Sequence, residues 1–285
     1  MAPRLSARVA ARCRVVVDND FAGDPDGILA LAHHLLSPSN RVVAITSSFL
    51  NARFVSPPAT PGATAQDGAR LATELLAELG LPHPPPVVTG AEEPWTSGSR
   101  SAAAEAIVAA AREESDLPLH LVCGGPLTNV AAALELDPGI AERLTLVWIG
   151  GSLDPEAFEY NRDTDPGAAE AVLAVPGLVV HQFPLETYRR CAYGIAELEA
   201  DLPATGRLGA WLYGCFSSPP AWVQLGGVWP IGDSPPLLVT ALTTDSSTRL
   251  AASDGVTVYT DVDLRLLVGD LLAKLRLHEA ARAQA

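Results

Sequence analysis

The chain has 285 residues, 48% of them apolar, with a mean hydropathy of +0.20 and a net charge of −14. That composition sustains a sizeable buried core and excludes a disordered chain. A surface this acidic repels nucleic acid phosphates and anionic lipid, which leaves neutral small molecules and divalent cations as partners.

Short apolar runs alternate with longer helical patterns. Residues 14–18 (RVVVD) read as a β-branched strand ending in acid, and 27–36 (GILALAHHLL) as the helix after it. A second strand is expected at 41–47, a helix at 67–80, a short strand at 86–89 and an alanine-rich helix at 101–114. Then come a strand at 119–123, a helix at 127–136, a strand at 144–149, a helix near 166–175 and a strand at 178–181. A late strand at 256–259 precedes a helix capped by Asp263, with Leu264, Leu267, Val268, Leu271 and Leu272 on one face. This alternation predicts an α/β fold, an open, mostly parallel, Rossmann-like sheet with helices on both faces.

One domain is expected over 13–278, preceded by a flexible tail at 1–12 that has the arginines but not the apolar stretch of a secretory signal. The proline- and glycine-rich stretches at 56–63 and 82–86 read as loops inside that domain. Cys13, Cys123, Cys191 and Cys215 are far apart and form no CxxC pair, so they read as reduced, mostly buried thiols of a cytoplasmic protein.

Ligands of parallel sheets bind beyond the carboxyl ends of the strands, so the residues just after each strand matter most. The first strand leads into DNDFAGDPDG, where Asp18, Asp20, Asp24 and Asp26 place four carboxylates in nine residues. A single aspartate there would merely cap the next helix. The whole cluster, joined by Asp233 from the late GDSP segment, points to a hard cation held by oxygens or to a sugar site.

These segments resemble the inosine/uridine-preferring nucleoside hydrolase family. The resemblance runs in order through DNDFAGDPDG, AITSSFLN, GGPLTNVAAAL, WIGGS, FEYNRDTDPGAA, IGDSPP and VTVYTDVDLRLLVGDLLAKL. It implies a nucleoside hydrolase fold, a bound Ca²⁺ (or Mg²⁺), and hydrolysis of the N-glycosidic bond of a ribonucleoside to ribose and free base. By position, Asp20 matches the carboxylate that touches both metal and water, the general base. Thr128 matches the residue giving its carbonyl to the metal, and Asp233 the late metal carboxylate. Asn51, Glu159 and Asn161 match ribose-binding positions, and Asp26 and Trp229 are further candidates for substrate contact. Family members are commonly dimers or tetramers, so a homo-oligomer is in keeping with the resemblance.

The chain departs from the family pattern in three places. The adjacent Asp-Asp before the helix is Asp26-Gly27, so Asp24 or Asp26 is expected to complete the metal shell. The histidine before the late metal aspartate is Gly232, which removes that route for protonating the leaving base. The loop from Gly151 to Glu159 is short and lacks the family's additional asparagine. Tyr160, Tyr188, Tyr213 and Trp229 are candidates for stacking or proton donation, and 211–229 is a lid candidate. His33 and His34 read as packing or surface residues, Glu92 and Glu93 as a solvated loop, and Thr187 as a supporting residue at a strand end.

The same residues allow two rivals. A haloacid dehalogenase-type phosphatase would use Asp18 as nucleophile and Asp20 as acid/base, but it requires a downstream cation and the one lysine is Lys274. A chain lacking the carboxylate at Gly27 and the imidazole at Gly232 would instead bind a ribosyl ligand without cleaving it.

Overall fold

The computed structural model describes residues 8–217, 219, 223, 226–253 and 255–284. The tail at 1–7 and part of the 211–229 lid candidate lie outside them. The first half alternates strand and helix, with two helices in succession only before β6. β1 (Cys13–Asn19) is followed by α1 (Asp26–Leu35), β2 (Asn40–Ser47), α2 (Thr64–Leu79), β3 (Val87–Thr89) and α3 (Ala102–Arg112). Next come β4 (Leu119–Cys123), α4 (Thr128–Leu136), β5 (Leu144–Ile149), α5 (Tyr160–Thr164), α6 (Pro166–Leu173) and β6 (Val179–Phe183). The second half is less regular, with α7 (Leu185–Tyr188), β7 (Ala192–Gly194), α8 (Ile195–Ala204), α9 (Arg207–Phe216), β8 (Val228–Pro230) and α10 (Pro236–Thr240). β9 (Thr248–Ser253), β10 (Val256–Asp261) and α11 (Leu264–Arg282) close the chain.

The main sheet has eight strands in the order β3-β2-β1-β4-β5-β6-β10-β9, parallel except for the edge strand β9. β1 is central and buried along its whole length, which is why it reads as an unbroken apolar run. Its side chains alternate between faces. Val15 and Val17 join Ile28 and Leu31 of α1 and Leu75 and Leu79 of α2, whereas Val16 joins Ile107 of α3, Leu121 and Val130 on the other side. The strand order reverses between β1 and β4, and there the loops leaving the two strands diverge and open a crevice.

Several expectations sharpen at the helix ends. Asp263 caps α11, its Oδ1 accepting the Leu266 N–H at 2.8 Å, and Leu267, Leu271 and Leu272 are buried as the periodicity predicted. α2 begins three residues before the expected Asp67, because Glu92 reaches over from the next loop. Its carboxylate accepts the Ala65 and Gln66 N–H groups at 2.9 and 2.8 Å, so Glu92 is an anchored cap rather than a solvated charge. His33 and His34 are both buried. Thr187 supports β10, donating to the Tyr259 carbonyl at 2.6 Å. All four cysteines are free, and Cys13, Cys123 and Cys191 are buried. No helix among the described residues is long and apolar enough to cross a membrane.

Candidate active site

A cavity of about 420 Å³ opens at the β1–β4 reversal. The segment after β1 forms its floor with Asp20, Asp24 and Asp26. Gly124 enters from the end of β4, Asn161 from α5, Tyr188 from α7, and Gly232 and Asp233 from the segment before α10. The fold therefore brings the expected site residues Asp20, Asp24, Asp26, Asn161 and Asp233 together from separate stretches of chain.

The carboxylates crowd one another. Burial pushes Asp20, Asp26 and Asp233 well above the ordinary carboxylate range. The charge of Asp233 adds to this at Asp20 and Asp26, and that of Asp24 at all three. Among the described residues no Arg, Lys or His forms an ion pair with any of them. Asp26 does not cap α1: the N-cap is Pro25, with no side-chain cap bond. Its Oδ2 instead accepts the Asp233 N–H at 3.1 Å, which fastens the first and last segments of the site to each other.

Asn19 is a site residue that the motifs did not mark. Its Nδ2 donates to Asp233 Oδ2 at 2.9 Å. The same amide fills the space that side chains at Gly27 and Gly124 would need. A Cβ would lie 2.8 Å from Asn19 Oδ1 at Gly27 and 2.2 Å from Nδ2 at Gly124. The Asn19 amide thus occupies the space that a side chain at Gly27 would enter.

Asn161 donates through Nδ2 to the Gly124 and Ile149 carbonyls at 3.1 and 2.9 Å, while its buried Oδ1 has no partner among the described residues. Tyr160 hydrogen-bonds the Asp20 carboxylate and accepts the Asn51 N–H at 3.4 Å. Tyr188 donates to Glu159 Oε1 at 2.8 Å, and its ring lies 3.1 Å from where a Cβ at Gly232 would sit. Burial and the facing carboxylates hold both phenols above their usual range.

Four expected site residues lie off the cavity lining. The Glu159 carboxylate is fully buried and occupied by the N–H groups of Gly151, Asn161 and Arg162 and by the Tyr188 hydroxyl. It caps α5 and so sets Asn161 in place. The Asn51 side chain caps the 3₁₀ turn at 52–54 by accepting the Arg53 N–H. The Thr128 hydroxyl donates to Asp165 at 2.6 Å, and on this side the lining residue is Gly124. Trp229 is buried against Phe216, with the rings edge to face and centroids 5.4 Å apart. Asp18 lies behind the cavity, where Thr46, Asn129 and the Cys123 thiol donate to it and burial pushes it up to about 6. It has no access to a substrate, which removes the nucleophile of the phosphatase rival.

The other half of the cavity comes, apart from Leu50 of AITSSFLN, from elements outside the motifs. Leu50, Phe54, Pro57 and Pro58 line one wall, Asp67, Arg70, Leu71 and Glu74 of α2 another, and Gly214 and Cys215 of α9 a third. Gly68 lets α2 approach this closely, since a Cβ there would lie 2.3 Å from Ser47 Oγ and 3.2 Å from the Ala22 nitrogen. The sequence signal for this wall is weak: Asp67, Arg70 and Glu74 share a helical face, a pattern that solvated and cavity-facing helices show alike.

The donors suit a hard cation: buried carboxylates without counter-charges, the unpartnered Asn161 Oδ1 and an exclusively oxygen-rich floor. Among the described residues no three His, Cys, Asp or Glu side chains have the arrangement of a formed metal site. The carboxylates are gathered but not closed around a point.

The family model described as inosine-uridine preferring nucleoside hydrolase matches residues 15–218. The pyrimidine-specific ribonucleoside hydrolase RihA of Enterobacter sp. (strain 638) is 30% identical over 203 residues, which are 61% of this chain and 61% of that protein. The match thus spans less than two thirds of that relative. Two solved structures share the fold over 93% of this chain and 99% of theirs, at 19% identity. They are an inosine-guanosine nucleoside hydrolase (TM-score 0.74) and a purine-preferring ribonucleoside hydrolase from Gardnerella vaginalis (TM-score 0.71).

Proposed function

The chain belongs to the inosine-uridine preferring nucleoside hydrolase family, and we propose that its cavity hydrolyses the N-glycosidic bond of a ribonucleoside. The observation that carries the reading is the convergence of Asp20, Asp26 and Asp233, buried and without counter-charges, on one cavity with Asn161. Such a floor destabilises the empty protein and gains its value when positive charge arrives.

The reaction supplies that charge. As the C1′–N bond breaks, its electron pair leaves with the base and the ribose takes on oxocarbenium character beside the carboxylates. A water oxygen bonds to C1′, its proton passes to Asp20, and the departing base is protonated by solvent. The sum is nucleoside plus water giving ribose plus base. Asn161 offers its free Oδ1 to a sugar hydroxyl. Tyr160 orients Asp20 from one side.

Asp20, Asp233, Asp26 or Asp24, and the Gly124 carbonyl in place of Thr128 would hold a Ca²⁺ ion. That ion would bind the ribose diol and lower the pKa of a nearby water. Asp26 is the stronger candidate of its pair, being buried where Asp24 is exposed.

The test is release of reducing sugar from inosine, uridine, adenosine and cytidine, with calcium and with chelator. Turnover that falls about 10³-fold in Asp20→Ala, in the range expected for loss of a general base, supports the reading. Ligand-induced thermal stabilisation without ribose release in any condition overturns it in favour of a ribosyl-binding protein.

A further inference from the structure

Breaking the glycosidic bond puts negative charge on the departing base, and something in the cavity must meet it. Gly232 offers no side chain. The Tyr160 and Tyr188 hydroxyls are already engaged with Asp20 and Glu159. Among the described residues that line the cavity there is no histidine or lysine, and the single positive charge is Arg70.

Arg70 is mounted for such a role. Gly68, two residues earlier, seats α2 against the start of the Asp-rich segment. Asp67 and Glu74 grip the guanidinium from either side, at 3.3 Å from Nη2 to Asp67 Oδ1 and 3.0 Å from Nη1 to Glu74 Oε1. Asp67 is fixed in turn, because its Oδ2 accepts the Thr60 N–H at 2.6 Å. The planar group has five N–H donors, of which these two pairs engage two, and its side chain is 58% exposed, which places it at the mouth of the cavity that it lines. Leu50, Phe54, Leu71 and the Pro57–Pro58 wall line the same cavity with apolar surface suited to a flat ring.

We propose that Arg70 is the electrophile for the leaving base: it donates to a carbonyl oxygen on the base edge and stabilises the anion formed when the C1′–N bond breaks. This rests on the hydrolase reading and deepens it. The electron pair stays on the base nitrogen and delocalises onto the carbonyl oxygen facing Arg70, and the base takes its proton from water after release. A guanidinium has donors and no acceptor, so it selects bases that present a carbonyl on that edge over bases that present an amino group.

The experiment compares uridine and inosine with p-nitrophenyl riboside, whose leaving group departs as a stable anion without help. Arg70→Gln is expected to lower kcat on uridine and inosine by about 10²-fold, the scale of losing one preorganised charge-stabilising donor. The loss on p-nitrophenyl riboside should be far smaller. Arg70→Lys should recover part of the uridine rate, and the thermal midpoint should stay put because the guanidinium it loses is exposed. Equal losses on all substrates, or no loss on uridine, overturn the proposal while leaving the hydrolase reading intact. A wild-type protein that turns over none of them overturns both.

Discussion

Helix α1 carries buried ionisable groups at both ends, and the protein treats the two ends in opposite ways. At the C-terminal end His33 Nε2 meets Asp270 Oδ2 at 2.7 Å. Lys274 bonds the same carboxylate and donates to Ser37 Oγ at 2.8 Å. Burial alone would raise Asp270, but the hydrogen bonds from His33 and Lys274 and the lysine charge hold it below its ordinary range. At the N-terminal end burial raises Asp26, and the charges of Asp233 and Asp24 raise it further. One end is a closed network that ties α1 to α11. The other is an open set of like charges whose counter-charge must come from a ligand. Buried charge is thus a framework device where the chain supplies both signs and a functional one where it supplies a single sign.

Breaking the closed end should show the largest stability effect at neutral pH. Asp270→Ala leaves His33 and Lys274 facing each other without the carboxylate between them. The carboxylate is 24% exposed, so the loss is set below that of a fully buried pair, at about 2 kcal/mol. A denaturant midpoint that falls accordingly, with nucleoside turnover unchanged, fits a purely structural network. A fall in turnover larger than the fall in folded fraction would show that the two ends of α1 are coupled.

The two ends also differ in how far the sequence exposed them. The Asp-rich segment was legible because four carboxylates in nine residues at the end of a buried strand have few structural uses. The network was not, because His33 and His34 inside an apolar helix match ordinary packing, and Asp270 and Lys274 lie some 240 residues away. The alternating first half of the fold was legible from period alone. α8, α9 and the β7–β8 pair were not, since α8 carries Pro203 within it and β7 and β8 are three residues each, too short for a periodic run. Within the site, residue type singled out Asp20, Asp233 and Asn161, which the fold brings to one cavity. It could not tell that Glu159 is consumed by four donors, that Thr128 faces Asp165, or that Trp229 packs on Phe216, because those depend on the register of neighbouring loops. Arg70 was invisible for the complementary reason: a charged helical face looks the same whether it meets water or a cavity.

The pH dependence of stability sharpens the contrast next. His34 adjoins the network with Nε2 buried and without a partner among the described residues. Burial, then the charges of His33 and Lys274, lower it to about 3. An unfolded histidine titrates near 6.5, at about the ordinary value. As pH falls below that value the unfolded chain takes up a proton that the folded chain refuses until about pH 3. His34 therefore leaves stability untouched above about pH 6.5 and removes it progressively below, by about 1.4 kcal/mol per pH unit. The raised carboxylates of the site act with the opposite sign over part of the same range, so the quantity to measure is a difference. Urea midpoints of the wild type and His34→Gln should diverge as pH is lowered from about 6.5 to about 4, with the variant showing the shallower decline. Parallel curves would mean that the folded state admits a proton at His34.

The smallest expected stability change is the one that bears most directly on function. Asp233 is buried, receives a hydrogen bond from Asn19, and adds repulsion to Asp20 and Asp26. Asp233→Asn preserves the shape and lets the amide oxygen accept from Asn19, while removing one of the like charges. In chelator the variant should be more stable than the wild type by about 1 kcal/mol, the modest gain typical of relieving a strained functional site. Added calcium should stabilise the wild type and not the variant, and nucleoside turnover should be lost. The sign of the first term is what matters: a carboxylate kept for packing would make the variant less stable, whereas one kept to meet incoming positive charge makes the empty variant more stable and inert.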